Sequence, residues 1–263
     1  MASSEQRRRA IVEVVRRQGF AAIEALAQQF AVTPQTIRRD INELSAEGAL
    51  QRFHGGAGLP SSVENLAYPA RQVLCLEEKA RIARLAARHV PDNASLFINI
   101  GTTTEEVAKA LLQHHGLSVV TNNLNVAGIL AGKPDFRLIV TGGVVRSHDR
   151  GLVGEATIDL IHQFKVDIGI IGISGIDTDG ALLDFDYREV RVAQAILENS
   201  RQIFLTADHT KFGRNAMVRL GSIEQIDALF TDRPPPPALA ERLREAEVEV
   251  HVAGPETSSG EAA

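Results

Sequence analysis

Apolar residues recur at helical spacing through the N-terminal part of the chain and then in short unbroken runs, and this change of period divides the sequence in two. Ile11, Val14 and Val15 form the stripe of a helix predicted from about Gln6 to Gln18, closed by Gly19. Ile23, Leu26, Ala27 and Phe30 mark a second helix from about Ala22 to Phe30. After a short turn at Ala31 and Val32, Ile37, Ile41 and Leu44 give a third, with Thr33 placed to cap it and Pro34 to set its first turn. Three helices with a tight turn before the last predict a helix-turn-helix. The run Ala49 to Ala57 alternates and ends in glycines, as a short hairpin would, so the first module is expected to be a winged helix.

Residues 59–75, with Pro60, Ser61, Ser62 and Pro69, have linker composition. A helix rich in Ala and Arg is predicted from Leu76 to His89, followed by alternating strand and helix patterns. The expected strands are Ser95–Ile100, Ser118–Thr121, Arg137–Thr141, Asp167–Ile171, Gln202–Thr206, Ala228–Thr231 and Glu247–Val252. Most are continuous apolar runs, which suit a parallel sheet covered by helices on both faces. Pro234 to Pro237 leads stiffly into a last helix near Ala238–Ala246. The expected layout is thus a winged helix-turn-helix over 1–58, a linker over 59–75, an α/β domain over 76–253 and an unstructured tail over 254–263.

The net charge of -5 argues against a nucleic-acid partner until it is divided along the chain. Residues 1–58 hold eight Lys/Arg against six Asp/Glu, a net +2, which leaves -7 for the rest. Any nucleic-acid contact therefore belongs to the N-terminal module. The single cysteine, Cys75, excludes an intramolecular disulfide and fits a reducing cytoplasm; no apolar run reaches membrane-spanning length, and the polar, basic N-terminus is unlike a secretory leader.

Within the third predicted helix the run Thr33-Pro34-Gln35-Thr36-Ile37-Arg38-Arg39-Asp40 offers Gln35, Thr36, Arg38 and Arg39 on the face opposite its apolar stripe. These are the donors that read base edges and phosphates in a groove. In the other domain, Ile100-Gly101-Thr102-Thr103-Thr104 joins a strand to a helix. Backbone amides and hydroxyls at such a helix start can hold a phosphate, although an ordinary threonine-capped turn has the same local sequence. Position favours the phosphate, because further polar or glycine-rich turns follow successive strands: Thr121-Asn122, Gly142-Gly143, Gly175 to Asp177 and Asp208 to Lys211. Together they fit a small phosphorylated sugar or polyol, with Lys211 balancing charge. The eight histidines show no metal-ligand spacing, and no nucleophile elbow or P-loop occurs, so no metal, cofactor or catalytic residue is assigned. Asp177, Asp179, Asp184 and Asp186 cluster in one loop that could do acid-base work, but such a loop is more often a solvated turn, and it is read as one.

The sequence resembles the DeoR family of bacterial transcriptional regulators over nearly its full length. Arg7, Ile11 and Val15, then Thr33 through Asp40, match the family's N-terminal signature, with valine a mild departure at 15. Arg52, His54, Gly55 and Gly56 match its wing. Runs such as EEKARIAR, LFINIGTTTE, VTNNLNVA and FDYREVR are most similar to members governing glycerol 3-phosphate metabolism. The resemblance implies operator DNA as partner, contacted by Thr33, Gln35, Thr36, Arg38, Arg39, Arg52 and His54. It implies a C-terminal domain with the ribose-5-phosphate isomerase fold, glycerol 3-phosphate as the effector, a phosphate turn at Gly101 to Thr104, an approach by Asp208 to Lys211, and assembly as a homodimer or homotetramer. One departure is Asn99, where the family usually has aspartate. Alternatives of other kinds are an activator or regulator answering to another sugar phosphate, and a sugar-phosphate isomerase-like enzyme.

Overall fold

A computed structural model describes residues 4–18, 20–53, 55–58 and 65–254, with backbone alone at 16–18. The chain divides into two compact units, Met1–Leu76 with Asn215–Met217, and Glu77–Arg214 with Val218–Ala263.

The first unit contains α1 (Ser4–Gln18), β1 (Phe20–Ala22), α2 (Ile23–Phe30), α3 (Pro34–Ala46), β2 (Gln51–Phe53), β3 (Gly56–Gly58) and α4 (Tyr68–Val73). The stripes of the first three helices meet in one core of Ile11, Val15, Ile23, Leu26, Ile37, Ile41 and Leu44, closed by Leu50 and Ala57 from the wing. Ala31, in the left-handed region at φ 50°, ends α2 and turns the chain toward α3. In the wing, β2 pairs with β3 antiparallel, Phe53 opposite Gly56, and Gly55 (φ 88°) supplies the turn. β1, too short to carry a pattern of its own, adds a third strand beside β3. That approach requires Gly56, since a Cβ there would lie 2.3 Å from the Phe20 ring.

Two features depart from the sequence pattern. Residues 65–75 were expected to be linker, yet α4 forms there, and Leu66, Leu74 and Cys75 are buried with Phe20 and Phe53. Their apolar side chains outweigh the turn-like composition around them, while 59–64 lie outside the described residues. The second departure is a bidentate ion pair across 33 positions of sequence: Arg7 donates Nε and Nη2 to Asp40 at 2.6 and 3.1 Å. The Asp40 side chain is only 4 % exposed, so the pair clamps α1 to α3 from within. Asp40→Ala leaves Arg7 without its partner and is expected to destabilise this unit by about 3 kcal/mol. Calorimetric unfolding of the variant checks this; an unchanged midpoint would remove the clamp from the account.

The second unit runs α5 (Leu76–Ala87), β4 (Ser95–Ile98), α6 (Thr102–Leu111), β5 (Ser118–Thr121), α7 (Leu124–Leu130), β6 (Arg137–Val140), β7 (Val144–Val145), β8 (Leu152–Val153), α8 (Glu155–Ile161), β9 (Val166–Gly172), β10 (Gly175–Ile176), β11 (Ala181–Asp184), α9 (Tyr187–Glu198), β12 (Ser200–Thr206), β13 (Val218–Ser222), β14 (Ala228–Thr231), α10 (Pro237–Glu245) and β15 (Glu249–Val252). Seven strands form one parallel sheet in the order β15-β14-β12-β9-β4-β5-β6, and these are the seven expected. Their near-continuous apolar composition follows from two-sided burial. Leu96 and Ile98 face a core shared with α5, α6 and α7, whereas Phe97 faces one shared with α8, α9 and α10. The hairpin β7-β8 and the small sheet β10-β11-β13 have strands of two to five residues and were not anticipated.

From β4 the chain winds outward to β5 and β6, and from β9 in the opposite sense to β12, β14 and β15. The winding reverses between β4 and β9. At such a switch point the loops leaving neighbouring strands part and open a crevice at the carboxyl edge.

Candidate functional site

In the first unit α3 is capped at Thr33, whose Oγ1 accepts from the Thr36 amide at 3.2 Å and lies 2.9 Å from Thr36 Oγ1. Both hydroxyls therefore serve first to fix the helix start. Gln35, Arg38 and Arg39 are exposed while Ile37 and Ile41 are buried, so one face of α3 is core and the other is available. Arg39 reaches Glu43 one turn on at 3.3 Å, and Arg52 of the wing donates to Asn42 Oδ1 at 2.9 Å, bracing the wing on α3. Arg38 has no side-chain partner among the described residues. His54 lies outside the described residues.

In the second unit the turn after β4 opens α6 with Gly101 as N-cap and no side-chain cap. Thr104 Oγ1 is spent locally, donating toward Asn99 O and Gly101 O at 2.9 and 2.8 Å. Thr102 and Thr103 are 9 % and 5 % exposed, and their hydroxyls have no partner among the described residues. Orphan amides and two free hydroxyls thus converge at the positive end of a ten-residue helix, beside the switch point. That is the chemistry of an anion site.

The remaining expected residues divide. Lys211, buried after β12, has its Nζ 4.0 Å from Asp208 Oδ2. Asn122 follows β5 and donates Nδ2 to Leu152 O at 3.0 Å, while its buried Oδ1 is unpartnered. Gly142 has open space where a Cβ would stand. Others are explained by packing. Thr121 Oγ1 donates to Ile98 O and accepts from the Asn123 amide, which joins β5 to β4. Gly143, at φ 126°, would place a Cβ 2.2 Å from Thr157 Oγ1, and Gly175 would place one 2.1 Å from Arg214 O. Asp177 sits in the β10-β11 turn and accepts from the Thr178 amide at 2.7 Å. The acidic run around it is no solvated turn, because Asp184 is buried on Ser174 and Asp186 caps α9.

Several buried charges were not anticipated. Lys79 is 1 % exposed although it shares the stripe of Ile82, Ala83 and Ala86 on α5; a lysine on an apolar stripe was the available signal. Asp208 is fully buried, which pushes its carboxyl up, but Lys211, Lys79 and bonds from Thr210 outweigh this and hold it below the ordinary carboxylate range. Its folded pKa is depressed, so its contribution to stability is present above the unfolded value of about 4 and is lost as pH falls through the folded one. Acid unfolding followed by circular dichroism is expected to start at lower stability in wild type than in Asp208→Asn relative to each protein's neutral value; parallel curves would contradict this. Glu105, buried in the first turn of α6, accepts from Asn123 and Asn125 at 3.2 and 3.0 Å. Asn125 continues to Asp149 O, and Asp149 holds Arg146, which also pairs with Asp186 and Glu189. Burial opposes the Arg146 charge, yet these carboxylates raise its pKa. One polar chain thereby links the first turn of α6 to the β7-β8 hairpin and to α9.

The model of the DeoR-like helix-turn-helix domain matches residues 7–63, and that of the DeoR C terminal sensor domain matches residues 75–233. The chain belongs to the DeoR family. The two DeoR matches fall on the winged helix and on the parallel-sheet unit. The glycerol-3-phosphate regulon repressor of Escherichia coli K12 is 53 % identical over 247 residues, covering 94 % of this chain and 98 % of that protein. Its namesake in Haemophilus influenzae is 48 % identical, covering 87 % and 89 %. The HTH-type transcriptional repressor CsqR of E. coli K12 is 42 % identical, covering 91 % and 92 %. Among solved structures, ribose 5-phosphate isomerase A of Methanocaldococcus jannaschii matches 52 % of this chain and 55 % of its own at 12 % identity and a TM-score of 0.39. The DeoR signature's first arginine and last aspartate, Arg7 and Asp40, are the pair that clamps α1 to α3. Among the described residues no helix is long and apolar enough to cross a membrane.

Proposed function

We propose that the chain is a DNA-binding transcriptional repressor of glycerol 3-phosphate metabolism genes, released from operator DNA when glycerol 3-phosphate occupies the carboxyl edge of its parallel sheet. The observation that carries this reading is the uncapped start of α6, with the unpartnered Thr102 and Thr103 beside it, in a chain whose other unit is a helix-turn-helix. Relatives named as repressors of the glycerol-3-phosphate regulon, which match most of the chain, support this reading. Gln35, Arg38 and Arg39 on α3 enter the major groove, and Arg52 in the wing meets the backbone. Thr33 and Thr36 act by fixing the start of α3. At the sheet edge the α6 turn takes the phosphate, Lys211 balances charge, and Asn122 and Gly142 face the polyol. Gly143, Gly175 and Thr121 keep the surrounding turns in place.

A single winged helix makes few contacts, so the repressor works as an assembly of two or more copies on a repeated site. Release requires that the effector favour an arrangement that fits the operator less well. Gel-shift assays on DNA upstream of its own gene and of glycerol 3-phosphate metabolism genes test the reading. A specific shift abolished by glycerol 3-phosphate, and not by glycerol, is the expected outcome; a shift indifferent to it would reject the effector.

A further inference from the structure

Resting on that effector reading, we propose that Thr141 is a specificity-determining residue: with Asn122 it takes the terminal hydroxyl of the effector, at the end away from the phosphate. The sheet register places the two side by side. Ile98 of β4 pairs with Thr121 of β5, and Thr121 with Val140 of β6. The residues one step further along are Asn99, Asn122 and Thr141. The Thr141 amide still donates to Thr121 O at 3.0 Å, so the β5-β6 ladder runs on to Thr141. Phe97, Val120 and Ile139, two positions earlier on the same strands, pack in or against one core, so alternation puts all three polar residues on that face. They form a row across the carboxyl edge, with neighbouring strands about 5 Å apart.

Asn122 and Thr141 are 2 % and 3 % exposed, yet Asn122 Oδ1 and Thr141 Oγ1 are buried atoms without a partner among the described residues. Orphaned polar atoms of this kind are rare in a folded interior. Their chemistry selects what completes them. Asn122 Nδ2 donates to Leu152 O, which can only accept, so the remaining Oδ1 is a pure acceptor, whereas the Thr141 hydroxyl can donate or accept. A hydroxyl group answers both, donating to Asn122 and accepting from Thr141. A phosphate dianion has no proton for Asn122 and is turned away, which fixes the direction in which the effector lies. Gly142, beside Thr141, leaves open space where a Cβ would stand, and β4 at the far end of the row leads through Ile100 into the Gly101 turn. From β4 to β6 is two strand spacings, about 10 Å, a span that a three-carbon chain fills with hydrogen bonds at both ends.

The test is calorimetric titration of the full chain with glycerol 3-phosphate and with 2-hydroxypropyl phosphate, which lacks the terminal hydroxyl. Wild type is expected to bind glycerol 3-phosphate about tenfold more tightly than the analogue. Thr141→Val, of the same branched shape, is expected to lose that preference by weakening on glycerol 3-phosphate alone, and Thr141→Ser, which restores a hydroxyl, to recover it. Thr141→Ala decides the matter if the valine variant does not fold. A folded variant without the hydroxyl that keeps the wild-type preference overturns the inference, the two atoms then being held by water. A wild type that binds both ligands equally overturns it too, and in each case the effector reading stands. Failure of wild type to bind glycerol 3-phosphate overturns that reading and the inference with it.

Discussion

Arg38→Ala is expected to abolish specific operator binding while leaving the effector response of the second unit intact. Arg38 lies on the exposed face of α3, opposite Ile37 and Ile41, and no other described side chain holds it. A guanidinium contact to a base edge or phosphate is worth about 2 kcal/mol per copy. In a two-fold assembly both copies lose it, about 4 kcal/mol, or roughly a thousandfold in affinity. Fluorescence anisotropy with a labelled operator measures this. Its salt dependence separates two roles: a lost phosphate contact lowers the slope by about one per copy, whereas a lost base contact relaxes sequence preference at one position. Because Arg38 is exposed and has no side-chain partner among the described residues, the unfolding midpoint should not move. Retained operator affinity would displace α3 from the groove.

Thr102→Val is expected to give a repressor that holds DNA and does not let go. The substitution keeps the branched shape at a position 9 % exposed and removes a hydroxyl that has no internal partner among the described residues, so the fold gives up no hydrogen bond. The ligand loses a bond to a charged oxygen, worth about 2 kcal/mol, or some thirtyfold in the effector concentration needed for release. Operator affinity without effector should match wild type. Release at the wild-type concentration would place the phosphate elsewhere on the sheet edge.

Much of this architecture could be read from apolar spacing. The three helices and the seven strands of the parallel sheet each carry enough residues for a period or a run to emerge, and two-sided burial makes the strands conspicuous. β1, β7 and β10 have only two or three residues and carry no period. Position relative to strand ends marked the Gly101 to Thr104 turn, but glycines were ambiguous: Gly142 faces open space, whereas Gly143 and Gly175 are excluded volume against Thr157 and Arg214. Composition misled over residues 65–75, where Leu66, Leu74 and Cys75 are buried despite turn-forming neighbours. Pairings distant in sequence were illegible, among them Arg7 with Asp40 and Arg146 with Asp186 and Glu189. Such partners are set by the packing of helices and hairpins, and no local pattern announces them.

The buried chain from Glu105 through Asn125 and Asp149 to Arg146 connects the start of α6 to the β7-β8 hairpin and to α9. Occupancy at α6 can bias the unit through it, provided that effector and operator prefer different states. The measurement that tests this most directly is a reciprocal titration: operator affinity at increasing glycerol 3-phosphate, and glycerol 3-phosphate affinity with and without saturating operator. Linkage requires one factor to appear in both. The account predicts that the effector weakens operator binding by at least tenfold and that operator weakens effector binding by the same factor; effector binding that leaves operator affinity unchanged would contradict it.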